Sequence, residues 1–193
     1  MGSRGFSLLE VLAAISILVI VAGAAVPLAH NSVERSRAAA AASYVSGRAA
    51  KARFEAVKRS AFVAIRFVEN ADGYWFRTYV DGNGNGVLAR DINSGVDRPI
   101  TSAEQLDHHF PGVTFGIESN VPSLDSPQIL NTRDPIQIGN STLLSFNPNG
   151  CSSSGTLFIR GQRASQFAVR VLGATGRTRV FQFSFDDRTW RRR

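Results

Sequence analysis

A run of 24 residues from Phe6 to Ala29, FSLLEVLAAISILVIVAGAAVPLA, carries a single charge, Glu10. About 20 such residues cross roughly 30 Å of hydrocarbon as a helix, so this run predicts a membrane span. A secretory signal would have a basic start, a shorter apolar core and a small-residue cleavage site followed by polar sequence. Here the start is only Met1 to Gly5, with Arg4 as its charged side chain, and Ala22 to Ala25 is the one segment that could be taken for such a site. Arg4 before the run and polar sequence after Ala29 place the N-terminus in the cytoplasm and the remainder across the membrane, by the positive-inside rule.

Glu10 breaks this pattern. A carboxylate inside a membrane helix costs on the order of 2–3 kcal/mol or more, which makes it a functional candidate by default. One reading pairs it with a positive charge at similar depth. The amino terminus of Phe6 on a neighbouring copy would serve, if the chain is cut after Gly5. The other reading is an acid near a helix end reaching the headgroups, which short side chains do poorly.

Beyond Ala29 the sequence turns polar but keeps a helical rhythm. Val33, Ala40, Tyr44, Gly47, Phe54, Val57 and Ala61 fall three, four or seven apart, and no proline occurs between Pro27 and Pro99. The helix is therefore expected to continue to about Arg59, some 80 Å at about 1.5 Å per residue. Its amphipathic part, residues 30–60, is expected to pack through that stripe. Strand-like runs follow at Ala61–Val68, Tyr74–Val80, Val113–Ile117, Leu143–Phe146, Thr156–Ile159, Phe167–Leu172 and Arg179–Phe185. One long helix and then many strands predict an α+β chain, the helix laid on antiparallel sheets of a head over 61–193. Ser119–Asn140, with Pro122, Pro127 and Pro135, reads as a long surface loop.

The formal charge of +7 is unevenly placed. Residues 155–193 hold nine arginines against two aspartates, while the preceding 154 residues balance. Such an excess suits an anionic partner, and equally a solubilising tail. Within it, Arg177 and Arg179 share one side of a strand by the two-residue period, if Gly176 lies in a turn. Two guanidiniums on one edge can grip phosphates in bidentate fashion. Arg170, Arg160, Arg163 and the closing Trp190-Arg191-Arg192-Arg193 would extend the patch, with Trp190 as a stacking face. A solvated hairpin beside a basic tail is the plainer alternative.

Asp81, Asn83 and Asn85 recur at the alternate spacing that opens a calcium loop, with Gly86 following. The closing bidentate Glu is missing: Ile92 stands there, and Asp91 is a poor substitute. A strand-to-strand turn explains the same residues, because Gly and Asn tolerate positive φ. The single cysteine, Cys151, excludes an intramolecular disulfide and reads as a small core or loop residue. His30, His108 and His109 lack partners at metal-ligand spacing, and His108-His109 reads as a loop pair. No nucleophile elbow or phosphate loop is present, so neither an enzyme nor a cofactor is expected.

Arg4-Gly5-Phe6-Ser7-Leu8-Leu9-Glu10-Val11-Leu12 resembles the leader and N-terminal segment of type IV pilins and type II secretion pseudopilins. The resemblance implies residues 1–5 as a prepilin leader cut by prepilin peptidase between Gly5 and Phe6. It also implies N-methylation of Phe6, an inner-membrane helix over 6–29, Glu10 as the family's assembly glutamate and Pro27 as its helix-bending proline. Phe146-Asn147-Pro148-Asn149-Gly150, Gly155-Thr156-Leu157 and Thr175-Gly176-Arg177-Thr178-Arg179 resemble, in that order, the GspH/FimT group. That likeness implies a type IV pilin-like fold with a periplasmic head and other pilins or pseudopilins as partners. It implies a minor pseudopilin near the tip of a type II secretion pseudopilus. Its alternative is a FimT-like minor pilin that binds DNA through Gly-Arg-x-Arg during natural transformation.

Overall fold

The computed structural model describes residues 7–139, 141–162 and 164–193, and within its long helix the side chains of residues 22 and 24–32 lie outside that description. That helix, α1, runs from Leu8 to Arg59 over 52 residues and is continuous through Pro27. Alanine is the best helix former, and 38–42 is an alanine run. The helix ends where Ser60 turns left-handed at φ 51° and its N–H caps the carbonyls of Ala56 and Val57. Lys58 and Arg59 in the last turn suit the negative end of the helix dipole.

Two antiparallel sheets pack on the second half of α1. The first has the order β3-β2-β1-β7, with β4 also on β2. Its strands are β1 (Val63–Asn70), β2 (Gly73–Val80), β3 (Arg98–Pro99), β4 (Glu104–Gln105) and β7 (Leu143–Phe146). The second has the order β11-β10-β9-β8-β5, with β6 on β8. It comprises β5 (Thr114–Phe115), β6 (Ile136–Gln137), β8 (Gly155–Arg160), β9 (Gln166–Leu172), β10 (Arg177–Ser184) and β11 (Thr189–Arg192). Two short helices, α2 (Ala89–Ser94) and α3 (Leu106–His109), lie between β2 and β5. All seven expected runs are strands. Four short ones went unread, β11 among them, because its arginines look like a tail.

The packing face of α1 is not the one the sequence rhythm suggests. Ala38, Ala41, Ala42, Val45, Ala49, Ala52 and Ala56 are buried, whereas Val33, Ala40, Gly47, Phe54 and Val57 are exposed. Of the expected stripe only Tyr44 and Ala61 are partly buried. The reason is close approach. Small side chains on the helix let the sheets present large ones: Phe67 and Phe146 from the first, Leu157, Ile159 and Phe167 from the second.

The 119–140 stretch also differs from expectation. Residues 119–134 lie over the far side of the second sheet and close a second core of Ile117, Val121, Phe158, Ala168 and Phe183, while Ile136 and Ile138 join the core on the α1 side. Val121 is completely buried, and Leu124, Leu130, Phe181 and Trp190 pack around this core. The second sheet is thus covered by α1 on one face and by an irregular segment on the other.

Among the described residues no helix is long and apolar enough to cross a membrane. The expected span 6–29 falls in part on residues outside the description, Phe6 and the side chains of 22 and 24–29. What is described of it, Leu8 to Val21, is helical with its apolar side chains exposed, Leu8 at 82% and Ile20 at 72%.

Candidate functional site

The basic hairpin is built from β9 and β10, whose register pairs Leu172 with Arg177 and leaves 173–176 as the turn. The strand begins two residues earlier than its alternation suggests, so Arg177 and Arg179 both lie within it. Gly176 has φ +60°, and a Cβ there would sit 2.5 Å from the Gly150 carbonyl oxygen and 2.8 Å from Arg53 Cδ. Arg53 of α1 fills that space and donates from Nε to the same carbonyl at 2.9 Å. The Cys151 thiol donates to the Ala174 carbonyl at 3.2 Å. Thr178 faces α1 and shares a hydrogen bond with Ser46, 2.6 Å between hydroxyl oxygens. The hairpin is therefore held from below, while Arg177 and Arg179 are exposed on the side away from α1.

The register sorts the other arginines. Arg170 is directly opposite Arg179, and Arg192 is directly opposite Phe181, so both share the outer face. Arg191 is opposite Gln182 and falls on the α1 side of the sheet. It pairs there with Asp187. Arg193 follows on that same side, its guanidinium 5.8 Å from the centre of the Phe167 ring. The expected patch is accordingly divided between two faces. Arg170 is also engaged: its Nη1 donates to Asp125 Oδ1 at 2.5 Å and its Nη2 to Oδ2. These bonds hold the Asp125 carboxyl below the usual carboxylate range against a smaller opposing effect of burial. Arg160 is 3.9 Å from Glu118, and Arg163 lies outside the described residues. Trp190 is not a free stacking platform. Its Nε1 donates to the Pro122 carbonyl at 2.9 Å and its ring packs on Phe183 and Phe158.

A cleft of about 690 Å³ at this face is lined by Asp125, Arg170, Arg179 and Phe181. Ser154, Thr156 and Gln137 supply polar groups to its wall.

The 81–97 loop is organised around three aspartates. Asp81 accepts from the backbone N–H groups of Asn83, Gly84 and Gly86, at 3.0, 2.8 and 2.7 Å. Burial pushes the Asp81 carboxyl up, but these backbone bonds together outweigh it and leave the group below its ordinary value. Asn85 donates to Asp91 at 3.0 Å, and the buried Asp97 accepts from Gly82 and Leu88 N–H. Asn83 as well as Asn85 reaches Asp91, at 3.5 Å, while the Asp81 carboxylate is occupied by backbone N–H groups of the same turn. Among the described residues no group of three His, Cys, Asp or Glu is placed to hold a metal.

His108 packs on Trp75, ring centres 5.3 Å apart. His109 sits 3.7 Å from Glu104, which also accepts from Tyr44 and Arg48 of α1. Burial first, and then Glu104, push the Tyr44 hydroxyl up. No sequence signal marked Glu104, because Tyr44 and Arg48 lie 60 and 56 residues earlier.

At the other end of the molecule Glu10 is exposed in the first turn of α1, where its acid suits the helix dipole. Gly5 and Phe6, the expected cleavage and methylation positions, lie outside the described residues.

A prokaryotic N-terminal methylation motif matches residues 1–26. The chain is 40% identical over 86 residues to the pilin-like protein PilA1 of Thermus thermophilus, an alignment covering 44% of this chain. It spans about half, 53%, of that relative. No solved structure matches. The motif, the relative and the helix laid on antiparallel sheets support a type IV pilin-like protein.

Proposed function

We propose that this chain is a minor filament subunit of the GspH/FimT kind, a pseudopilin that supports protein secretion from near the tip of a type II secretion pseudopilus. It is inserted in the inner membrane, cut by prepilin peptidase after Gly5 and methylated on Phe6. The observation that carries the reading is Glu10, the one charge of an apolar helical run inside the methylation motif. Burying that acid among apolar neighbours is costly unless a cation meets it, and the Phe6 amine of an adjacent copy is the cation that cleavage creates. The exposed apolar side chains of Leu8 to Val21, continued by Val33, Phe54 and Val57, offer the surface that neighbouring helices would cover. The test is Glu10→Ala: membrane insertion is retained and the subunit disappears from sheared filaments. Normal incorporation of the variant removes the role.

A second reading is favoured by the exposed pair Arg177 and Arg179 on one face of β10. It makes the chain a FimT-like minor pilin that grips DNA phosphates through this pair, without base specificity and with affinity falling as salt rises. Gel-shift titration of wild type against Arg177→Ala/Arg179→Ala at two salt concentrations tests it. Equal affinities sink it.

A further inference from the structure

Among the described residues the outer face of the second sheet carries five guanidiniums, Arg160, Arg170, Arg177, Arg179 and Arg192, on four adjacent strands. Arg170 and Arg179 are direct cross-strand partners, an arrangement in which like charges repel over about 5 Å. Glu118 stands 3.9 Å from Arg160 at the edge of this row, while Asp125 is bonded into its middle and takes Arg170 with both oxygens. A phosphodiester presents the same chemistry, one negative charge shared by two oxygens that match the guanidinium fork. The cleft lined by Asp125, Arg170 and Arg179 has the volume to take such a group.

The Asp125 side chain is 63% exposed. It stands at the tip of a small loop whose base is firm. There, Ser123 N–H donates to Gln128, Leu130 N–H donates to Val121, and the Pro122 carbonyl accepts from Trp190. The carboxylate can therefore leave Arg170 by local motion of the tip alone. An aspartate is ordinarily charged at neutral pH, and an anion that competes for Arg170 can take its place.

We infer that Asp125 is an internal stand-in for a nucleic-acid phosphate, masking Arg170 until the phosphate backbone displaces it and brings Arg170 into line with Arg177 and Arg179. The mask limits non-specific capture of weak anions, because an isolated anion must displace a carboxylate to reach Arg170, whereas a polyanion already seated on Arg177 and Arg179 does so at high local concentration. This inference rests on the DNA-binding reading above.

The test uses the full chain in nonionic detergent micelles and a short fluorescently labelled DNA duplex, titrated by anisotropy over a range of salt. Asp125→Asn is expected to bind roughly 1.5-fold to fivefold more tightly than wild type, because an exposed competing pair has been removed. Its plot of log affinity against log salt should steepen by about 0.9, one additional phosphate contact. Asp125→Ser, which keeps neither charge nor shape, should behave alike. Asp125→Asn/Arg170→Gln should return to wild-type affinity or below. Wild-type affinity and slope in both single variants, with Arg177→Ala/Arg179→Ala still weakened, overturn the masking and leave the DNA reading standing. Undiminished binding by Arg177→Ala/Arg179→Ala overturns the underlying reading instead.

Discussion

Replacing Gly176 by alanine probes how the arginine pair is presented. The backbone there is left-handed at φ +60°, which costs an L-residue about 1–2 kcal/mol. The added Cβ would also meet the Gly150 carbonyl oxygen at 2.5 Å and Arg53 at 2.8 Å, both fixed by the bond between them. Relieving that contact moves the 173–176 turn away from the 147–150 turn, an overpacking cost of about 1–3 kcal/mol. Together these give about 3 kcal/mol, or roughly 6–12 °C in the melting temperature of a chain this size. Gly84→Ala is the control: its φ is +83°, but nothing lies within 4 Å of the added atom, so only the backbone cost of about 1 kcal/mol applies. Thermal melts followed by near-ultraviolet circular dichroism compare the two. If Gly176→Ala melts within about 2 °C of Gly84→Ala, the close approach between turns contributes nothing and the account is wrong.

Val121→Ala should lower stability by about 2 kcal/mol in urea denaturation, because two methyl groups leave the second core. A loss under about 0.5 kcal/mol would return the 119–140 stretch to an ordinary surface loop. For Asp81 the pH dependence has a definite sign. Its folded pKa lies below the ordinary 3.8, so its contribution is present above 3.8 and fades as pH falls through the folded value. Asp81→Asn should therefore be less stable than wild type at pH 7, with the gap narrowing in acid. A gap that is constant with pH refutes the backbone-bonded carboxylate.

Local chemistry made much of this molecule readable from the chain. The apolar run with Glu10, the absence of proline from 28 to 98 and the alternation in β10 are each short-range patterns: the first two lie in one continuous helix and the third in a strand. The turn at Gly176 and the shared outward side of Arg177 and Arg179 follow from the same two-residue period.

What depended on tertiary structure was the choice among partners. The helix face that packs is the alanine face, since sheets bearing Phe67, Phe146 and Phe167 need small residues opposite them, and hydrophobicity alone favours the larger side chains of the exposed stripe. Strand register divided the terminal arginines, turning Arg192 outward with Phe181 and sending Arg191 and Arg193 to the α1 side. Asp125 and Arg170 lie 45 residues apart and meet only because the 119–140 segment crosses the sheet. Sequence by itself determined the long helix and the seven longer or alternating strand runs, because helix and strand periods are written in neighbouring residues. The fold decided which arginines are free and which are paired, because a counter-ion is set by distance in space.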